Sequence, residues 1–103
     1  MKLSHVNNRA VIILDSPYEL IGDFLTIEAY RTDSWVFTVL LPNINTDNFA
    51  YGGNAYQASI LNEEVVVEFV VWAEIETCKI SKNLFAEILT KWYDFLKEDT
   101  NAT

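Results

Sequence analysis

From Glu64 to Glu76 the chain alternates with a period of two. Val65, Val67, Phe69, Val71, Ala73 and Ile75 fall at one parity, and Glu64, Val66, Glu68, Val70, Trp72, Glu74 and Glu76 at the other. Successive side chains of a β-strand point to opposite faces. The stretch therefore predicts a strand with one apolar face and one acidic face carrying an aromatic. Unbroken, it would run roughly 40 Å at about 3.3 Å per residue, longer than most strands, so a bulge or bend near Ala73 is expected. A helical period follows. Leu84, Phe85, Ile88, Leu89, Trp92, Phe95 and Leu96 make a broad apolar stripe, with Lys82, Glu87, Lys91, Asp94 and Lys97 on the solvent side and Ser81 placed to cap the start. An apolar strand face and an apolar helix stripe both need cover, and each can supply the other's. The predicted fold class is α+β: an antiparallel β-sheet with a C-terminal amphipathic helix packed on one face and a short N-terminal helix.

The remaining elements follow from turn chemistry. Lys2 to Val6 and Arg9 to Leu14 flank Asn7-Asn8, a pair that tolerates the positive φ of a tight hairpin turn. Asp15 or Ser16 then caps a helix of about two turns at most, begun by Pro17 and stopped by Gly22. Leu25 to Ala29 alternates as a half-buried strand, and Trp35 to Leu41, apolar at both parities, reads as a strand covered on both faces. Arg31 to Ser34 is the turn between them. The competing reading is one helix from Tyr18 to Tyr30, because Leu20, Ile21, Phe24, Ile27 and Glu28 also fit a helical stripe. Asn43 to Asn54, full of Asn, Asp and Gly, reads as a long loop, and Ala55 to Leu61 as a strand turning at Asn62.

At 103 residues, half of them apolar, the chain is expected to form a single domain over residues 1–103, with a core that needs neither disulfide nor metal. The single cysteine, Cys78, has no partner for an internal disulfide, and the apolar run Val11 to Leu14 is too short for a signal peptide or a membrane span. A reducing, cytoplasmic location is the expectation.

Charge is distributed by region. Between Arg31 and Lys79 there are seven acids and no Lys or Arg, so nearly all of the net charge of −8 sits in the middle of the chain. Such a field repels nucleic acid and anionic lipid and attracts a basic partner. The seven basic residues form no continuous stripe that would release counterions from DNA or RNA.

No residue pattern points to catalysis or to a bound cofactor or metal. His5, the only histidine, lies near the end of a predicted edge strand and reads as a surface or packing residue. Cys78 precedes Lys79, which would favour its thiolate, yet no histidine base accompanies it in sequence. The glutamates lack an Asp-x-Asp loop at calcium-ligand spacing. Two binding surfaces remain. The acidic strand face surrounds Trp72 and Val70 with carboxylates, the composition of an interface core with a polar rim. The loop sets Phe49, Tyr51 and Tyr56 among Asn, Asp and Gly, as binding loops do.

In its length, its acidity, its acidic strand and its lack of catalytic constellations, the chain resembles the immunity proteins of bacterial toxin systems, including contact-dependent growth inhibition and other polymorphic toxins. The resemblance implies binding to a cognate toxin domain, often a basic nuclease such as an RNase, with acidic side chains standing where phosphates would lie. Carried onto this chain, the implied partner-binding residues are Glu64, Glu68, Trp72, Glu74 and Glu76, with Asp47, Phe49 and Tyr51 as a second patch. Two other classes stay open: a structural or regulatory subunit that self-associates, and a small ligand-binding or enzymatic domain with a pocket at Gly52-Gly53.

Overall fold

A computed structural model describes residues 1–53, 55–71 and 74–101. In chain order the elements are β1 (Lys2–Val6), β2 (Arg9–Ile13), α1 (Glu19–Glu28), β3 (Ala50–Gly52), β4 (Tyr56–Leu61), β5 (Glu64–Val71), β6 (Glu74–Ser81) and α2 (Lys82–Asn101). β1 and β2 form a two-stranded hairpin, and β3 to β6 form a four-stranded antiparallel meander. The α+β architecture is the expected one, and α2 packs on one face of the meander.

The tight turns follow their sequence signals. Asn7 and Asn8 take φ of 52° and 67°, and Asn62, between β4 and β5, takes 56°. These left-handed values match the twist of the flanking strands and are tolerated by asparagine. Ser81 Oγ accepts the Leu84 N–H at 3.2 Å, the expected cap of α2.

The segment after the first hairpin departs from the favoured expectation. Glu19–Glu28 is one helix, so the competing reading holds and the strand over Leu25 to Ala29 does not form. Ile21, Phe24, Leu25 and Ala29 are all fully buried, a spacing that only a helix turns to one side. Five alternating residues carry little weight against that stripe once a core exists to receive it. Gly22 does not stop the helix. A Cβ there would lie 3.1 Å from both the Ile12 carbonyl oxygen and the Leu14 nitrogen, so the bare backbone is what lets α1 lie against β2. Thr26 completes the contact: its hydroxyl accepts the Ile12 N–H at 3.2 Å and donates to the Ile12 carbonyl at 3.3 Å, satisfying the edge of β2. Neither Asp15 nor Ser16 supplies a side-chain cap. The helix begins after Tyr18, whose N–H reaches the Asp15 backbone carbonyl at 2.9 Å.

Trp35 to Leu41 is also not a strand. Val36–Leu40 is a wide helical turn in which the Leu41 N–H reaches back five residues to Val36, followed by a 3-10 turn over Leu41–Asn43. Val36, Phe37 and Leu40 are buried while Thr38 is exposed, so the burial is one-sided with a helical repeat. A short run that is apolar at both parities fits either state, and β propensity yields to the packing on offer. Asn43 to Asn54 is irregular as expected, except that Ala50–Gly52 pairs with β4 as an edge strand; Asn54 lies outside the described residues.

The largest correction concerns the acidic stretch. It is two strands, β5 and β6, paired antiparallel with Val71 opposite Glu74 and Glu64 opposite Ser81. The bend expected near Ala73 falls outside the described residues, but the chain has reversed direction between Val71 and Glu74.

One core lies between the inner face of the meander and the helices. It joins Ala58, Ile60, Val65, Val67 and Ile80 to Phe24 and Leu25 of α1 and to Phe85, Leu89 and Trp92 of α2. Trp92 is fully buried and donates its indole N–H to the Ala29 carbonyl at 2.7 Å, tying α2 to the end of α1. Among the described residues, no helix is long and apolar enough to cross a membrane.

Candidate functional site

Directly opposed residues of an antiparallel pair share a face, so the register assigns every glutamate of the hairpin. Glu64, Val66, Glu68 and Val70 share the outer face with Ile75, Thr77, Lys79 and Ser81; Val65, Val67 and Phe69 share the inner face with Ile80, Cys78, Glu76 and Glu74. The expected common face of Glu64, Glu68, Glu74 and Glu76 therefore does not exist. The reversal after Val71 exchanges the parities, which moves Glu74 and Glu76 to the helix side. Trp72 lies outside the described residues.

The outer face is open. Leu61, Val70 and Ile75 are 43%, 45% and 61% exposed, and the neighbouring Gln57, Glu64, Thr77 and Lys79 are exposed as well. Val66 is buried, yet it is not part of the core cluster. The result is an apolar strip beside Glu64 and Glu68, with Lys79 the only cation among these positions. Asp47 belongs to the same end of the sheet: its Oδ1 accepts the N–H of Asn48 at 3.0 Å and of Asn62 at 2.8 Å, pinning the loop to the β4–β5 turn.

The inner face ends in a different chemistry. Tyr56, Phe69 and Glu76 stand in one row across β4, β5 and β6. Tyr56 stacks on Phe69 with centroids 4.6 Å apart and meets Phe24 of α1 at 5.6 Å. Phe24 meets Trp35 at 5.7 Å, and Trp35 meets Tyr51 at 5.2 Å. Five rings thus run in contact, from Phe69 through the buried Phe24 to Tyr51. Glu28, at the end of α1, accepts the Trp35 indole N–H on Oε2 at 3.0 Å. Burial pushes the Tyr56 phenol above its ordinary value of 10.0, and the nearby carboxylates of Asp23, Glu28 and Glu76 push it the same way. Sequence reading placed Glu76 and Tyr51 in candidate patches but missed Asp23, Glu28 and Trp35. These come from α1 and the wide turn, the segment whose secondary structure the alternation misread.

The other candidates take structural places. Phe49 is half-buried against the core, and its carbonyl accepts the Ile60 N–H at 2.7 Å. His5 packs on Phe95 of α2 with ring centroids 5.0 Å apart. Cys78 faces inward while Lys79 faces outward, so the lysine does not favour the thiolate. Burial, and then the Glu19 carboxylate, raise the thiol above its ordinary value of 9.0, and Sγ lies 3.4 Å from the Pro17 carbonyl. A depression of about 310 Å³ opens beside Gly52, Gly53, Ala55, Tyr56, Gln57 and Val70, and neither His5 nor Cys78 lines it. Among the described residues, no group of three or more His, Cys, Asp or Glu side chains is arranged to hold a metal ion. Compared with protein-family models, with curated proteins and with solved structures, the chain matches none.

Proposed function

We propose that this protein is a stoichiometric inhibitor, an immunity protein that docks a basic toxin domain, a nuclease such as an RNase, on the outer face of its meander. The observation that carries this reading is the exposure of Leu61, Val70 and Ile75 on the face that also holds Glu64 and Glu68. Solvated faces of antiparallel sheets are normally polar, and an apolar strip with a charged border is the composition of a protein interface. The sign of the border selects the partner. Two glutamates against one lysine, on a chain of net charge −8, repel nucleic acid and a second copy of the chain, and draw in a cationic surface. Steered association of this kind reaches about 10⁸ per molar per second at low salt, which suits an inhibitor that must act before its target turns over.

The test combines capture and inhibition. A basic nuclease domain retained by the wild-type protein in low salt should be released as salt rises, should lose its activity at one equivalent of inhibitor, and should bind Val70→Asp and the Glu64→Lys/Glu68→Lys pair much more weakly. Binding indifferent to all of these substitutions would remove the outer face from the interface. A purified protein that forms a stable oligomer through that face would favour the structural-subunit reading instead.

A further inference from the structure

We propose that the free edge of β6 receives a fifth strand from another protein, an extended segment in which β-branched and basic residues alternate. The site is the rim of the sheet and not its open face, and its test needs no toxin domain, so it stands or falls separately from the inhibitor reading.

β6 ends the meander on one side, with β5 as its neighbour on the other. The register decides which of its backbone groups are left over. One step beyond the Glu64–Ser81 pair, the Lys82 N–H donates to the Glu63 carbonyl at 2.9 Å. Bonded and non-bonded pairs alternate along an antiparallel ladder, so Ile80, Cys78, Glu76 and Glu74 turn their N–H and C=O groups to β5, and Lys79, Thr77 and Ile75 turn theirs away. Val70, opposite Ile75, fits this phase by donating its N–H to the Ala55 carbonyl on the β4 side at 2.9 Å. Ile75, Thr77 and Lys79 are exposed, and no turn, loop or cap among the described residues sends a backbone hydrogen bond to them. Sheet edges are ordinarily blunted, and the others here are: β3 has three residues, β1 has five and begins with Lys2, and Thr26 closes β2. β6 has eight residues, without proline or glycine, in unbroken register with β5.

The side chains select the occupant. Glu74 and Glu76 are exposed, and across β5 they oppose Val71 and Phe69, which carry no charge. A strand laid on the free edge sets its own side chains about 4.5–5.5 Å from theirs, so lysine or arginine belongs there. Its alternate residues meet Ile75 and Thr77 on the other face, where β-branched side chains pair well. The main chain then supplies affinity and the alternation supplies specificity. A second copy of this chain is the wrong occupant. Two β6 strands joined through their outward groups would bring the glutamates of both copies to one side, on chains of net charge −8 each.

The experiment follows the intact protein at low salt by ¹H–¹⁵N NMR and amide hydrogen exchange while a short blocked peptide of alternating valine and lysine is added. The expected result is a saturable shift of the Ile75, Thr77 and Lys79 amides together with slowed exchange at these three, whereas the Cys78 amide, already bonded to β5, is slow with or without peptide. Placed antiparallel with valines opposite Ile75, Thr77 and Lys79, the peptide turns its valine N–H groups to β6 and its lysine N–H groups to solvent. Methylation of the valine amide nitrogens should therefore abolish binding, and methylation of the lysine amide nitrogens should leave it saturable. Glutamate in place of lysine in the peptide should weaken binding by about tenfold or more, and the Glu74→Gln/Glu76→Gln pair by about fivefold. Asp94→Asn, on the solvent side of α2, should bind as the wild type does. Thr77→Pro deletes one outward N–H, a change that an edge strand tolerates, and should abolish the protection. No saturable shift, no slowed exchange at the three amides, an equal loss with either methylated peptide, undiminished binding of the glutamate peptide, or a dimer of the protein joined through this edge would each overturn the proposal.

Discussion

The two faces of the β5–β6 hairpin are built from the same residue types and end in different environments. On the outer face Glu64 and Glu68 border the exposed Leu61, Val70 and Ile75, and on the inner face Glu76 closes a row of rings that α1 partly roofs. The difference lies in the cover. A carboxylate beside open sheet is hydrated and acts through its long-range field, which salt screens within about 8–10 Å. Carboxylates beside a nearly buried phenol act at short range and shift its titration. The outer carboxylates therefore act through a long-range field, and the inner ones through short-range contact with one phenol.

Alanine at two isoleucines of one strand gives the sharpest test of this contrast. Ile80 is 1% exposed and faces the helices, while Ile75 is 61% exposed on the outer face. Ile80→Ala should cost about 2–5 kcal/mol of stability through lost burial and the cavity it leaves, and Ile75→Ala should stay within about 0.5 kcal/mol. Chemical denaturation of the two variants checks this, and a comparable cost at both sites would mean that the outer face is not open.

The roof is tested at Gly22. Valine there would push β-carbon and methyls into the Ile12 and Leu14 backbone and should destabilise the protein by about 1–3 kcal/mol. If the contrast between the faces depends on where α1 sits, the same substitution should also perturb the Trp35 indole resonance and leave the Lys79 amide unmoved. A smaller effect of similar origin is expected at Thr26, where valine keeps the shape and removes both hydrogen bonds to Ile12, at about 1 kcal/mol.

The smallest effect is electrostatic and specific to the inner end. The folded Tyr56 holds its proton more tightly than an unfolded tyrosine with a pKa of 10.0. Above that pH the folded state carries more protons than the unfolded state, so Tyr56 contributes stability that is fully present below pH 10 and is lost as pH rises through its folded value. Tyr56→Phe should flatten this part of the alkaline denaturation profile. Asp23→Asn, Glu28→Gln and Glu76→Gln should each lower the Tyr56 pKa in an ultraviolet titration, and Glu64→Gln, on the other face, should not.

Much of this architecture is legible in the chain. The Asn7-Asn8 hairpin, the turn at Asn62, the Ser81 cap and the α2 stripe each rest on contacts within a few residues, and such signals survive any tertiary context. The α1 helix and the wide turn at Val36–Leu40 do not read clearly, because short apolar runs satisfy both periods and the packing partner decides between them. Thr26 and Gly22 show why: one caps a strand edge and the other admits a strand backbone, and neither role exists until β2 is alongside.

The acidic stretch shows the same division most plainly. Its alternation determined, from residues alone, that it is β-structure with glutamates confined to one parity. Parity names a face only within a single strand. Once β6 folds back on β5, odd residues of one strand oppose even residues of the other, and Glu74 and Glu76 cross to the side of the helices. Composition and period determined that the protein is α+β and acidic in its middle; the long-range pairing alone decided which acids stand together, because sharing a face is a property of register and not of sequence spacing.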